Sequence, residues 1–291
     1  MRTARSLALC PVLLSAVLGG CSQPPPAPTA ATTVPVAVTS TRAPAPTTAA
    51  PTAAAPPTTA TPTAAAPPPA APPPAAARPV VVLDPGHNGR NAQDPAAINR
   101  PVPDGRGGTK PCNSTGTATD AGYPEHAFNF DVAQRVAQRL AAVGVKVLLT
   151  RPDDNGVGPC VDVRGHAGEQ VHAAAVVSIH ADGSAAAHSG FHVAFSDPPL
   201  NAAQSGPAHV LAGDVRDAMR GGGFRDSDYI GSAGLSPRPD LAGLNLATVP
   251  TALVECANMR NAAEAALVSS AAGRDRYAAA IAAGILAFLR R

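Results

Sequence analysis

Two histidines and two glutamates, far apart in the chain, are of types that could do chemistry together: His87, Glu125, His180 and Glu255. His87 follows the apolar run Val80-Val81-Val82-Leu83 and lies in Asp84-Pro85-Gly86-His87-Asn88-Gly89. His180 follows Ala175-Val176-Val177-Ser178-Ile179 and precedes Ala181-Asp182-Gly183. Each apolar run reads as a buried strand, and the small residues after it as a turn. Glu125 opens a helical pattern, and Glu255 ends a third apolar run, Pro250-Thr251-Ala252-Leu253-Val254. Two imidazoles and one carboxylate make a three-ligand zinc site with a free position for water. A second carboxylate, Glu255, is what such a site needs to take a proton from that water.

Each residue also has a plainer reading. His87 alone is a surface loop histidine, and His180 alone is a satisfied core histidine. Glu125 after Pro124 is an ordinary acid at a helix start, and His126 beside it is a competing ligand. Glu125 nevertheless lies three residues before Phe128, on the face that Phe128 and Val132 bury. A charge closing a buried strand, as Glu255 does, is costly unless it is paired or at work. Asp84 is a candidate to hold the second ring N–H of His87. Asp182 is a second-layer partner or a turn residue, and Asn258 and Asn261 cap the next helix or contact substrate. His166, His172, His188, His192 and His209 read as surface or packing residues. His192 alternates with Phe191 and Val193, so it faces away from their side, toward a cleft or water. There is no Gly-x-Ser-x-Gly, phosphate-binding glycine loop, His-Glu-x-x-His or nucleophilic-cysteine signature.

The elements that must position these residues follow from periodicity. Strand-like runs cover 79–84, 145–150, 175–180, 190–195 and 250–255, and Leu241–Leu246 is ambiguous. Phe128, Val132, Val136, Leu140 and Val143 mark one face of a helix that Gly144 closes. Shorter helices are expected over 162–173, 207–220 and 261–270. Tyr277, Ile281, Ile285 and Phe288 stripe a final helix. Strands alternating with helices predict one α/β domain, with a mostly parallel central sheet flanked by helices and the zinc site at the carboxyl ends of strands. The long segment 88–121 lies between two proposed ligands and is expected to rim the site.

The ends and the composition place this domain. Arg2 and Arg5 precede an apolar stretch, Leu7–Leu18, too short for a permanent membrane span, so residues 1–20 read as a signal peptide. The stretch reaches Leu18-Gly19-Gly20-Cys21, which resembles a lipobox with Cys21 as the acylated first residue; the alternative is an ordinary cleavage site. Residues 21–78 are almost entirely Pro, Ala and Thr after the first few, with too little apolar bulk for a core. They read as a disordered tether, reaching well over ~100 Å at ~3.1 Å per residue. Residues 79–291 form the catalytic domain, whose core rests on Val, Leu, Ile and Ala because the chain has no Trp. A formal net charge of +2 and no basic stripe argue against a nucleic-acid partner, and the chain reads as a monomer. Cys112 and Cys160 lie in Gly/Pro-rich loop sequence and, after export, favour pairing with each other. The alternatives are two free thiols, or pairing of either with Cys256, which reads as a small buried hydrophobe.

Four pieces together, Leu83-Asp84-Pro85-Gly86-His87-Asn88-Gly89, Pro124-Glu125, Ser178-Ile179-His180-Ala181-Asp182-Gly183 and Val254-Glu255-Cys256-Ala257-Asn258-Met259-Arg260-Asn261, resemble the zinc-dependent N-acetylmuramoyl-L-alanine amidases of the amidase-3 family. The likeness spans about residues 79–290. Gly122-Tyr123-Pro124-Glu125-His126, and Gly158-Pro159-Cys160-Val161-Asp162 with Cys112, are closest to a mycobacterial-like branch in which the two loop cysteines are bridged. The resemblance implies that His87, Glu125 and His180 bind one Zn2+ and that Glu255 is the catalytic carboxylate. It implies hydrolysis of the amide between N-acetylmuramic acid and L-alanine in peptidoglycan or muropeptides, at the cell envelope. Two departures stand out. Many members have Gly-Phe after the catalytic Glu, where this chain has Cys256-Ala257-Asn258-Met259. Ser196–Gly206 is also too short for the inhibitory helix of some relatives, so an uninhibited site is expected. Two other functions compete: a catalytically silent wall-binding lipoprotein, and a zinc peptidase cutting within the stem peptide.

Overall fold

The computed structural model describes residues 78–291. The signal peptide, Cys21 and the tether expected before Arg78 lie outside the described residues. Eight strands order the domain: β1 Val80–Pro85, β2 Pro101–Pro103, β3 Thr109–Pro111, β4 Lys146–Leu149, β5 Ala175–Asp182, β6 His192–Ser196, β7 Leu235–Arg238 and β8 Thr251–Asn258. Between and after them run α1 Pro95–Ile98, α2 Glu125–Ala142, α3 Val161–His166, α4 Ala202–Ser205, α5 Pro207–Gly221, α6 Ala242–Asn245, α7 Ala262–Ser269 and α8 Ala271–Leu289. Six strands form one sheet in the order β4-β1-β5-β8-β6-β7. All neighbours are parallel except β6 against β8. The architecture is thus an α/β domain with a mostly parallel sheet. β2 and β3 pair as a separate hairpin.

Alternation along the strands gives the sheet two unlike faces. Val81, Leu83, Val177, Ile179, Val193, Ala252, Val254 and Cys256 point to one side and join the main core with residues of α2, α5 and α8. On α2, Phe128, Val132, Val136 and Leu140 are fully buried, and Tyr277, Ile281 and Ile285 do the same for α8. Val143, expected on the α2 stripe, is 61% exposed, because the helix has ended there and Gly144 turns the chain at φ 85°. The opposite face carries Asp84, Ser178, His180, Asp182, His192 and Glu255 among smaller apolar clusters, and it forms the floor of a cleft. Short helices flank it: α3 and α6 pack on one another, and their Val161, Gly243 and Leu244 line the cleft with Leu253.

The structure refines the local reading in four places. The ambiguous run 241–246 contains the short helix α6, not a strand. Region 162–173 holds α3 and then a separate 3-10 turn, Glu169–Val171, which ends where His172 takes a left-handed backbone at φ 49°. β7 went unpredicted, since Leu235-Ser236-Pro237-Arg238 has neither an apolar run nor clear alternation. Segment 88–121 is an ordered strap containing α1 and the β2–β3 hairpin. Cys112 is joined to Cys160 in a disulfide, while Cys256 is a free, buried thiol packed in the main core.

Candidate metal centre

His87, Glu125 and His180 are brought to one point by three elements. β1 delivers His87 just past its end, and Gly86 N–H donates to Ile179 O at 3.0 Å, holding the turn against β5. His87 itself lies in the left-handed region at φ 59°, a conformation a non-glycine residue keeps only when its surroundings fix it. Arg164 supplies much of that fixing: its guanidinium donates to the carbonyls of Pro85 at 2.7 Å and His87 at 2.7 Å. Gly86 must be glycine, because a Cβ there would stand 2.0 Å from His180 Cε1. Gly116, at φ 76°, likewise leaves room for the Glu125 carboxylate and the His87 ring.

Glu125 is the hub. Its Oε1 lies 3.1 Å from His87 Nε2 and 2.9 Å from His180 Nδ1. The same oxygen accepts from Asn129 Nδ2 at 3.2 Å and Ala181 N at 3.3 Å, and Oε2 accepts from Thr117 N at 2.9 Å. The residue opens α2, where the helix N-terminus favours a negative charge. Burial opposes ionisation, but His87 and His180 outweigh it and hold the carboxyl well below its usual range. His87 is pushed the other way: burial disfavours its charge, and the adjoining Glu125 more than restores it.

The donor set is therefore two imidazoles and one ionised carboxylate, with ligand atoms within 4.8 Å of one another. That set fits a divalent metal of the zinc kind. His87 Nδ1 donates to Ser114 O at 3.1 Å, which turns the lone pair of Nε2 toward Glu125 and the metal position. Asp84 was expected to hold that N–H and does not. Its carboxylate accepts instead from Arg164 Nη1 at 2.6 Å, Thr150 Oγ1 at 2.6 Å and Ser178 Oγ at 2.7 Å. His126, the competing ligand, turns away and meets Asp154 at 2.6 Å.

His180 and Glu255 face each other in register across β5 and β8. Both lie on the sheet face short of their strand ends, because β5 runs on to Asp182 and β8 to Asn258. His87 lies just past β1, and His180 and Glu255 lie in the carboxyl-terminal halves of β5 and β8. Glu255 lines the same cleft, of about 490 Å³, as His87, Glu125 and His180. Burial, then Glu125 and Asp182, push its carboxyl well above the usual range, against a smaller opposing effect from Arg238. Its Oε2 is buried without a partner.

Asn258 is fully buried and binds the 184–188 loop through Ser184 N, Ala185 O and His188 O. Asn261 caps α7. Neither is left to contact substrate through those bonds. Ser196–Gly206 holds only the four-residue α4, whose Gln204 is tied to the carbonyls of Leu244, Asn245 and Ala247. Asn129, Ser114, Thr117 and Arg164 are site residues that the sequence reading missed. Only Asn129 carried a signal, standing one helical turn from Glu125 on the buried face.

Fold and site together define a class: an α/β hydrolase domain in which three residues able to hold a metal ion share one cleft with a separate carboxylate. Residues 81–287 match the family model described as N-acetylmuramoyl-L-alanine amidase. Over 210 residues the chain is 50% identical to the N-acetylmuramoyl-L-alanine amidase Rv3717 of Mycobacterium tuberculosis, covering 72% of this chain and 86% of that protein. The crystal structure of the N-acetylmuramyl-L-alanine amidase Ami1 of Mycobacterium smegmatis aligns with TM-score 0.71 and 52% identity, over 73% of this chain and 97% of that one. The amidase AmiC2 of Nostoc punctiforme aligns with TM-score 0.56 and 26% identity, over 75% and 100%. The chain belongs to the N-acetylmuramoyl-L-alanine amidase family.

Proposed function

We propose that this protein hydrolyses the amide between the lactyl group of N-acetylmuramic acid and the L-alanine of the stem peptide, with one zinc ion held by His87, Glu125 and His180. The observation that carries the reading is the meeting of two imidazoles on one carboxylate oxygen, at 3.1 and 2.9 Å, in a cleft that also holds Glu255. When bound, zinc supplies a Lewis acid that brings the pKa of a water near 7 and polarises the carbonyl to be attacked. Glu255 takes the proton of the attacking water and returns it to the departing L-alanine amine. Its raised pKa makes it the stronger proton acceptor for the first half of that exchange. Glu125, by contrast, stays ionised, as a ligand must.

The protein is proposed to act as a monomer at the cell envelope on peptidoglycan or its fragments. Residues 1–20 would direct export, Cys21 would carry a lipid anchor, and residues 21–78 would span from membrane to wall. The test is digestion of muramyl dipeptide and of purified peptidoglycan, with and without chelator, with products identified by mass. Release of peptide with a free L-alanine amine, lost on chelation and restored by zinc, is the expected result. Cleavage inside the peptide would support the peptidase reading instead. Glu255→Gln should keep zinc and abolish turnover, and near-normal activity would remove Glu255 from the mechanism.

A further inference from the structure

Beyond Glu255, away from the metal ligands, lies a group of sealed polar atoms that the reaction as described does not use. His192 on β6 is directly opposite Glu255 on β8, so the two side chains rise from the same face at neighbouring positions. His192 is 1% exposed, and its Nδ1 is buried without a partner. Glu255 Oε2 is buried without a partner too, as is the hydroxyl of Tyr229. The Tyr229 ring meets the His192 ring edge-on at 6.3 Å. It is brought there because segment 225–228 runs along the start of β6: Phe191 N–H donates to Arg225 O, and Ser227 N–H to Phe191 O. Two unpaired polar atoms on directly opposite residues, the His192 Nδ1 and the Glu255 Oε2, would be costly if left so. A hydrogen bond, direct or through one enclosed water, removes the cost.

We infer that His192 is a positioning residue for Glu255: its imidazole N–H holds the inner carboxylate oxygen, leaving the outer oxygen aimed at the attacking water. This deepens the function proposed above and rests on Glu255 as the proton carrier. The ring is suited to the task because it stays neutral. Burial, opposed by Asp182 and assisted by Arg238, lowers its pKa to about 4. The charged or titratable groups around it are Asp182 on β5, Arg238 on β7, Glu255 on β8 and Tyr229. A neutral donor orients the carboxylate and lowers its basicity less than a cation in the same place would.

The test compares His192→Phe, which keeps the ring volume without a donor, with His192→Gln, which restores an N–H. Both are measured on muramyl dipeptide beside Glu255→Gln, together with zinc content. His192→Phe should lower kcat roughly tenfold or more with KM and zinc stoichiometry unchanged, and His192→Gln should recover part of the loss. A purely structural role predicts instead equal damage in both variants, or a change in KM or zinc; either result overturns the inference, as does parental kcat in His192→Phe. The 15N shifts of the His192 ring, read in the parent and in Glu255→Gln, give a measurement that needs no variant at position 192. They should move when the carboxylate becomes an amide, and a ring that does not respond overturns the contact. An active Glu255→Gln enzyme is a separate outcome that defeats the proposed mechanism itself.

Discussion

At the level of single residues, the centre depends on what is missing as much as on what is present. Gly86 leaves the space that the His180 ring fills, and a methyl at that position would stand 2.0 Å from Cε1. Gly86→Ala should therefore fold around a displaced imidazole and bind zinc below one equivalent, read by elemental analysis of the purified protein. Asn129 acts from the other side: it donates to Glu125 Oε1 and to Gly86 O, the latter at 3.3 Å. Asn129→Leu keeps the volume and removes both bonds. It should weaken zinc binding by about tenfold to a hundredfold, measured by competition with a chromophoric chelator. The quartet itself was legible because two histidines follow strand-like runs and one glutamate starts a helix. Asp84 was misassigned for a physical reason. It shares the sheet face with the site, but Arg164, eighty positions away, reaches it first. No local pattern reports a guanidinium arriving from a distant helix.

Between elements, the strap that carries Ser114, Gly116 and Thr117 to the site is closed by the Cys112–Cys160 bridge. Cys112 N–H donates to Arg100 O, Val161 N–H donates to Cys112 O, and Asn113 Nδ2 donates to Pro159 O. The bridge thus ties the strap to the start of α3, where Arg164 begins its reach under His87. With a sequence separation of 48, replacing both cysteines by serine should cost about 2 to 4 kcal/mol. The check is denaturant unfolding of the domain, alongside zinc affinity, which should fall with it. The helical stripes of α2 and α8 were readable because a helix packed on one sheet face repeats its apolar contacts each turn. β7 was not readable. It is an edge strand whose pairing depends on β6 being placed first.

For the whole molecule, the buried Asp84–Arg164 pair contributes to acid stability. Burial raises the Asp84 pKa, but Arg164, Thr150 and Ser178 together overcome it and hold the group at about 2, against an ordinary 3.8. A depressed folded-state pKa contributes stability that is complete above about pH 4 and is lost as pH falls through about 2. The contribution is roughly 2 kcal/mol. Asp84→Asn should be less stable at neutral pH and should flatten the acid limb of a stability–pH curve measured by urea unfolding. An unchanged acid limb would place the pair's contribution near zero. If Cys21 carries the proposed lipid, Cys21→Ala should move the protein out of the detergent phase, and continued partitioning would argue against acylation.

The sequence by itself determined the alternation that makes one sheet face apolar and the other polar, the helix stripes, the glycines around each histidine and the four side chains of the centre. These are local: each is set by residues within a turn or a strand of one another, and periodicity reports such relations directly. Only the tertiary structure decided which donor holds each candidate ligand. It gave the His87 N–H to Ser114, Glu125 to Asn129 and Thr117, and Asp84 to Arg164, and it left His192 facing Glu255. Those partners come from elements tens of residues apart. They meet because the order of strands in the sheet and the closure of the strap bring them together, and neither is written in the neighbourhood of any one residue.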